Sequence, residues 1–206
     1  MSFLKTNFHG QSKIALTDFD GTLISGNLGG DFFRWLREKS SFITFCKLFY
    51  RKLFSSKSYP TITQFSADEF NTLLSEFYAS KTFSYRINWD LVDLLTTSYS
   101  KIYIISGSPE FLIRKFISDY IPQLADVEVV GLTYDGFVTR PYGVKKVILA
   151  EERGVKSPFD AFGDSRGDLE MLKRSSHGLL YTSDWRLRLF VRRSQMFDEV
   201  MILQRW

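Results

Sequence analysis

Apolar positions along the chain fall into two textures. Ile14-Ala15-Leu16 is a short apolar run of the kind that forms a buried strand, and Asp18-Phe19-Asp20-Gly21-Thr22-Leu23 follows it. Beyond a glycine-marked turn at Gly26, Gly29 and Gly30, apolar residues recur at helical spacing. Phe32, Phe33, Trp35 and Leu36 predict one helix, with Asp31 as its cap or first residue and an end near Ser40. Phe42, Phe45, Cys46, Phe49 and Leu53 predict a second, and Ser55 to Pro60 interrupts the pattern. Ser66-Ala67-Asp68-Glu69 resembles a helix cap and leads into a third helix with Phe70, Leu73, Leu74 and Phe77 on one face.

The second texture alternates. Leu91, Val92, Leu94 and Leu95 predict an amphipathic helix, and Lys101 to Ile105 a buried strand that ends at Ser106-Gly107-Ser108-Pro109. A helix through Phe111, Leu112, Lys115 and Phe116 follows, then a short strand at Val127 to Val130 and a hairpin turn at Tyr134-Asp135-Gly136-Phe137. Lys145 to Arg153 predicts a helix closed by Gly154. Phe159 to Phe162 predicts a strand, Gly163 to Asp168 a loop, Leu169 to Lys173 a helix and Leu179-Leu180-Tyr181 a further strand, with mixed structure to Trp206. Strands alternating with helices at this spacing imply a parallel α/β sheet. The helical block interrupts it as an insertion, so residues 1–25 and 85–206 are expected to form the core and residues 26–84 a separate helical unit.

Composition changes this picture in one respect. The 206 residues suffice for one sizeable core plus an insertion, and the net charge of +4 does not by itself imply a nucleic-acid partner. The charge is uneven, however: Arg34 to Lys57 holds seven basic residues against Glu38 alone, which leaves the rest of the chain net acidic. Cys46 is the only cysteine, so neither an internal disulfide nor a cysteine-based metal site is expected. Met1 to Ser12 lacks the apolar stretch of a signal peptide, and no apolar run approaches ~18 residues, so a cytoplasmic location is expected.

Four polar pairs fall at predicted strand ends or helix starts: Asp18/Asp20, Ser106/Ser108, Lys145/Lys146 and Asp164/Asp168. In an open α/β sheet such positions converge on one crevice. Asp18 and Asp20, two residues apart just past a strand, project to the same side of the extended backbone. Gly21 allows the chain to turn and present N–H groups to an anion, which marks Gly21 and Thr22 as phosphate-binding candidates beside Ser106 and Gly107. The chemistry that fits is phosphoryl transfer through an aspartyl-phosphate: one carboxylate attacks phosphorus and a second acid handles the proton. Two facing anions require a bridging hard cation, and oxygen-only ligands favour Mg²⁺. A hydroxyl and a lysine would stabilise the transferred group.

Asp18-Phe19-Asp20-Gly21-Thr22, Ile104-Ile105-Ser106-Gly107-Ser108, Lys146 and Gly163-Asp164-Ser165-Arg166-Gly167-Asp168 resemble, in order and spacing, the four motifs of the haloacid dehalogenase superfamily. The helical insertion after the first motif is similar to the subfamily that includes phosphoserine phosphatase. The resemblance implies a Rossmann-like core with an α-helical cap, Asp18 as nucleophile and Asp20 as general acid/base. It also implies Mg²⁺ held by the Asp18 carboxylate, the Asp20 main-chain carbonyl and the Asp164 carboxylate, with Asp168 in support. Ser106 would bond the phosphoryl group and a lysine would neutralise it. Lys146, three residues after Gly143, fits the family's setting better than Lys145, which stays open. Dehalogenases lack an acid at the position of Asp20 and P-type ATPases carry Thr there, so Asp20 implies a phosphatase or phosphotransferase.

The insertion bears on the substrate. Phosphoserine phosphatases carry Ser at the position of Gly21 and an amine-binding Glu at the position of Asn27. Residues 42–54 instead interleave aromatic and basic side chains, which suits either the insertion's own core or peripheral contact with an anionic membrane surface. Phosphatidylglycerophosphate-type phosphatases are similar in length and in the Ser-Pro ending of the second motif, although their insertion is longer and uncharged. A small phosphorylated metabolite or a phospholipid head group is therefore the expected partner. A lipid- or nucleic-acid-binding module on a phosphatase fold is the non-enzymatic alternative.

Overall fold

The computed structural model describes residues 13–39, 67–80, 84–134, 138–194 and 200–203. β1 (Ile14–Thr17) is the middle of a seven-stranded sheet with β2 (Lys101–Pro109), β3 (Glu128–Tyr134) and β4 (Val138–Thr139) on one side of it. On the other side lie β5 (Asp160–Gly163), β6 (His177–Tyr181) and β7 (Val200–Leu203), giving the order β4-β3-β2-β1-β5-β6-β7. Neighbouring strands run parallel except β4, which pairs antiparallel with β3. The strand order reverses at β1, so a crevice opens where the chain departs from β1 in opposite directions.

Period-two alternation divides the strand side chains between two helical layers. Ala15, Ile104, Val129, Phe162 and Leu179 face one way. There they meet Leu91, Leu94 and Leu95 of the helix Trp89–Ser98 and Leu112, Ile113 and Phe116 of Glu110–Tyr120. Leu16, Tyr103, Ile105, Ala161 and Leu180 face the other way. They pack on Val147 and Ala150 of Val144–Glu152, Met171 and Leu172 of Leu169–Arg174, and Leu187 and Val191 of Trp185–Arg193. Burial on both faces explains the near-continuous apolar strands. In chain order the helices are α1 (Leu28–Lys39), α2 (Ala67–Ala79), α3 (Trp89–Ser98), α4 (Glu110–Tyr120), α5 (Val144–Glu152), α6 (Leu169–Arg174) and α7 (Trp185–Arg193).

The helices α1 and α2, contributed by the insertion, extend the first layer. Phe32 of α1 packs its ring edge-on to Phe77 at 5.2 Å and to Phe111 of α4 at 6.0 Å, while Trp35 meets Phe77 at 5.6 Å. The Tyr78 hydroxyl donates to the Leu112 carbonyl at 2.9 Å, tying α2 to α4. The third predicted helix is thus present as Ala67–Ala79, with Leu74 and Phe77 buried. The predicted helix over Phe42 to Leu53, the aromatic and basic stretch 42–54, the interruption at Ser55 to Pro60, the Ser66 cap and the turn residues 135–137 lie outside the described residues. Thr133 opposite Thr139 and Tyr134 opposite Val138 form the antiparallel pair on either side of that turn.

Three element boundaries differ from the sequence pattern, each for a tertiary reason. α1 begins at Leu28 and not at Asp31, because Asn27 caps it: the Asn27 side-chain oxygen accepts from the Gly30 N–H at 2.8 Å. Gly29 and Gly30, which predict a flexible turn, form its first turn; a Cβ on Gly29 would come within 2.4 Å of the Ser108 hydroxyl. β2 continues through Ser106-Gly107-Ser108 to Pro109, with its pairing to β3 interrupted between Ile105 and Pro109. The tail contains α7 and β7; alternation over Val200 to Leu203 is too short to distinguish an edge strand from mixed structure.

Packing at Phe32 predicts a large cavity cost. Phe32→Ala should lower stability by about 3–5 kcal/mol in urea unfolding, while Ile148→Ala on the exposed face of α5 should stay within about 0.5 kcal/mol. Equal losses would mean that α1 does not share the main core.

Candidate active site

Sheet register brings the motifs together. Thr17 pairs with Ile104 on β2 and with Phe162 on β5, so Asp18 emerges level with the chain just before Ser106 and Asp164. The Asp18 N–H donates to the Phe162 carbonyl at 2.9 Å, which holds the departing chain at the sheet edge. α5 approaches from the side, starting at Gly143, whose φ of +58° is one that L side chains rarely adopt. The Gly143 N–H donates to the Gly167 carbonyl at 2.9 Å, locking the start of α5 to the loop that carries Asp164 and Asp168.

Lys146 ends up between two carboxylates. Its ammonium lies 2.6 Å from Asp18 Oδ1 and 2.6 Å from Asp168 Oδ1, with all three side chains buried. The other Asp168 oxygen accepts from the main-chain N–H groups of Asp164 at 3.1 Å and Ser165 at 2.9 Å, and from the Ser165 hydroxyl at 2.9 Å. Asp168 therefore commits both oxygens within the protein, to the lysine and to its own loop. Burial works against the Lys146 charge, but Asp168 and Asp18 outweigh it and hold the ammonium above its usual range. Burial also pushes the Asp18 carboxyl up; Lys146 opposes this, and Asp168, Asp164 and Asp20 add to it. Lys145 is exposed on the outside of α5.

Asp20 occupies a different environment. Its Oδ1 accepts the Leu28 N–H at the start of α1, at 2.7 Å. Its Oδ2 accepts from the Ser106 hydroxyl at 3.3 Å and from the Ser108 hydroxyl in a short contact. The Ser108 oxygen in turn accepts the Gly29 N–H at 3.0 Å, so the N-terminus of α1 is satisfied by Asp20, Ser108 and Asn27. Burial pushes the Asp20 carboxyl up, and the Ser108, Leu28 and Ser106 hydrogen bonds hold it down in part. A buried carboxyl raised in this way is suited to holding and returning a proton.

Gly21 and Thr22 stand apart from the other candidates. Gly21 adopts φ +80° and gives its N–H to the Ile24 carbonyl at 2.7 Å. Thr22 is fully buried, and its carbonyl accepts from the Asn88 amide at 3.2 Å. Neither lines the cavity; they close the turn that carries the aspartates. Asp18, Asp20, Ser106, Gly107, Lys146 and Asp164 do line it, in a space of about 600 Å³. Sequence reasoning did not single out Arg140, Pro141 and Tyr142, which form part of its wall, nor Phe33 of α1. The signal available was position alone, a Pro-containing stretch one turn before the motif lysine.

Carboxylate oxygens of Asp18, Asp164 and Asp168 lie within 4.8 Å of one another. This all-oxygen donor set fits a hard divalent cation, which would offset the mutual repulsion of carboxylates that adds to the effect of burial on Asp18. The Asp20 carboxylate lies outside that cluster, held by the serines and α1.

Comparison with known proteins agrees with this arrangement. The pattern of haloacid dehalogenase-like hydrolases matches residues 15–173, and the chain belongs to that family. No curated protein matches the chain at a significant level. Among solved structures, a Bordetella pertussis protein of unknown function superposes with a TM-score of 0.67 at 13% identity, covering 94% of this chain and 98% of its own. A phosphoserine phosphohydrolase-like protein from Francisella tularensis gives 0.55 at 16% identity, over 92% and 95% of the two chains. A haloacid dehalogenase-like hydrolase from Streptococcus pneumoniae gives 0.53 at 15%, over 92% and 93%. At these identities the likeness is one of fold. Family and site together define a phosphatase-like hydrolase.

The buried ion triad predicts an asymmetry between adjacent lysines. Lys146→Met leaves Asp18 and Asp168 facing each other and should cost about 3–5 kcal/mol in metal-free urea unfolding, whereas Lys145→Met should stay within about 0.5 kcal/mol. Added Mg²⁺ should recover part of the Lys146→Met loss.

Proposed function

We propose that this protein is a Mg²⁺-dependent phosphomonoester hydrolase that works through an aspartyl-phosphate, an acyl phosphate formed on Asp18. The observation that supports it most is the division of the two motif carboxylates: Asp18 lies against Lys146 and the acidic cluster, while Asp20 is held by serine hydroxyls and a helix N-terminus. In the first step Asp18 attacks phosphorus, the bond to the leaving oxygen breaks, and Asp20 gives that oxygen its proton. Asp20 then takes a proton from water as the water oxygen attacks the Asp18-bound phosphorus, releasing inorganic phosphate and restoring both carboxyls. Lys146 balances charge at Asp18, and Ser106, whose hydroxyl donates to Asp20 in the resting protein, would hydrogen-bond the transferred group. Asp18, Asp164 and the Asp20 carbonyl would hold Mg²⁺, with Asp168 in support; the ion supplies charge neutralisation of the phosphoryl oxygens and the nucleophile. The insertion acts as a cap: α1 meets the site through its first turn and excludes bulk water from Asp20.

The substrate class follows in part. Asn27 lines the cavity where phosphoserine phosphatases carry a charged amine-binding residue, and its side-chain oxygen accepts the Gly30 N–H, which weighs against phosphoserine. A phosphorylated small molecule remains the favoured class. The convergence of every catalytic group on one cavity favours an enzyme over a binding module. Among the described residues no helix is long and apolar enough to cross a membrane.

Hydrolysis of p-nitrophenyl phosphate with Mg²⁺ tests this reading. Asp18→Asn should abolish turnover and chelation should remove it. Asp20→Asn should lower it by about 10²–10⁴. Because p-nitrophenolate leaves without a proton, phosphorylated Asp18 should accumulate in Asp20→Asn and be visible by mass spectrometry after acid quench. No turnover of any phosphate ester with Mg²⁺ sinks the proposal.

A further inference from the structure

We propose that Arg140, steadied by Tyr142, forms a second anion subsite at the cavity mouth, so that the substrate is a phosphomonoester whose leaving group carries a further anionic group. This rests on the phosphatase reading. Two cations line the cavity among the described residues, Lys146 and Arg140. Lys146 is buried on the floor between Asp18 and Asp168, where it serves the nucleophile and the transferred phosphoryl group. Arg140 is exposed and lies on the wall, beyond the end of β4, where a leaving group would extend toward solvent. The cavity of about 600 Å³ has room for more than a phosphoryl group.

The position of Arg140 is built by two neighbouring motifs. Gly107, next to Ser106, has no side chain, and a Cβ there would lie 3.0 Å from Arg140 Nε, so the guanidinium rests against the second-motif backbone. Its centre lies 5.5 Å from the Tyr142 ring centroid. The Tyr142 ring in turn lies over Gly167, where a Cβ would come within 2.8 Å of it, in the loop of Asp164 and Asp168. Arg140 and Tyr142 thus lie across two glycines, one beside Ser106 in β2 and one in the loop of Asp164 and Asp168. A guanidinium fork held in this way matches the paired oxygens of a carboxylate or a phosphate.

The test separates binding from turnover. Three phosphonate analogues that cannot be hydrolysed are titrated calorimetrically with Mg²⁺ present: propylphosphonate, the same chain ending in a carboxylate, and the same chain ending in a methyl phosphodiester. The native protein should prefer one or both charged analogues by roughly 10- to 100-fold, and Arg140→Met should bring that ratio close to one, with Arg140→Lys in between. The better of the two charged analogues identifies the anion. No preference in the native protein overturns the inference, as does a preference that survives Arg140→Met or failure of all three to bind. An equal loss for all three in Arg140→Met also overturns it, placing Arg140 on the transferred group. Turnover of the matching phosphate esters is scored separately: preference in binding without hydrolysis of any ester retains the subsite and removes the phosphatase reading.

Discussion

The structure depends on a lysine buried between two aspartates. Lys146, Asp18 and Asp168 come from α5, the end of β1 and the 3₁₀ turn before α6, and Lys146 Nζ makes 2.6 Å contacts to both carboxylates. Burying three charges together is expensive: replacing all of them at once by apolar side chains of similar volume is often neutral or stabilising, whereas removing one alone leaves the others unpaired. Under the proposed mechanism the ammonium that offsets repulsion between Asp18 and Asp168 would also neutralise the phosphoryl group. The loop around it is correspondingly tight. Gly163 is required because a Cβ there would lie 2.4 Å from that of Asp168, and Ser165 and Asp168 form a reciprocal capping box.

Two aspartates two residues apart acquire different properties from their surroundings. Asp18 shares its environment with other carboxylates and a lysine; Asp20 sits among hydroxyls at a helix N-terminus. Both are raised by burial, but they are opposed by different partners, a neighbouring charge for one and hydrogen bonds for the other. The Gly21 turn matters because, with φ +80°, it helps fold the following chain back so that the start of α1 meets Asp20, while the Asp18 N–H stays with β5.

The helices inserted after this turn belong to the same packing unit as the sheet. Phe32, Trp35 and Phe77 join α4 in one apolar layer, and the first turn of α1 donates its N–H groups to catalytic-site side chains. A shift of α1 would therefore disturb Asp20 and Ser108 directly. This couples the position of α1 to Asp20, the proton carrier of the proposed mechanism, which suits an element expected to cover substrate.

Much of the fold was legible in the chain. Apolar strands at Ile14, Lys101 and Phe159, alternating with amphipathic helices, implied a parallel α/β sheet, and Asp18, Ser106, Lys146 and Asp164 fell at expected strand ends or helix starts. These features are local: periodicity and turn chemistry act over a few residues. What tertiary structure decided was contact between distant segments. Family resemblance favours Lys146 over Lys145 without deciding between them, and only the rotation of α5 against the sheet buries Lys146 and exposes Lys145. Gly29 and Gly30 suggest a turn until Ser108 and Asn27 are seen to cap a helix there. Arg140 carries no motif, and its place on the cavity wall arises from two glycines far from it in the chain, Gly107 and Gly167, whose missing side chains make the room.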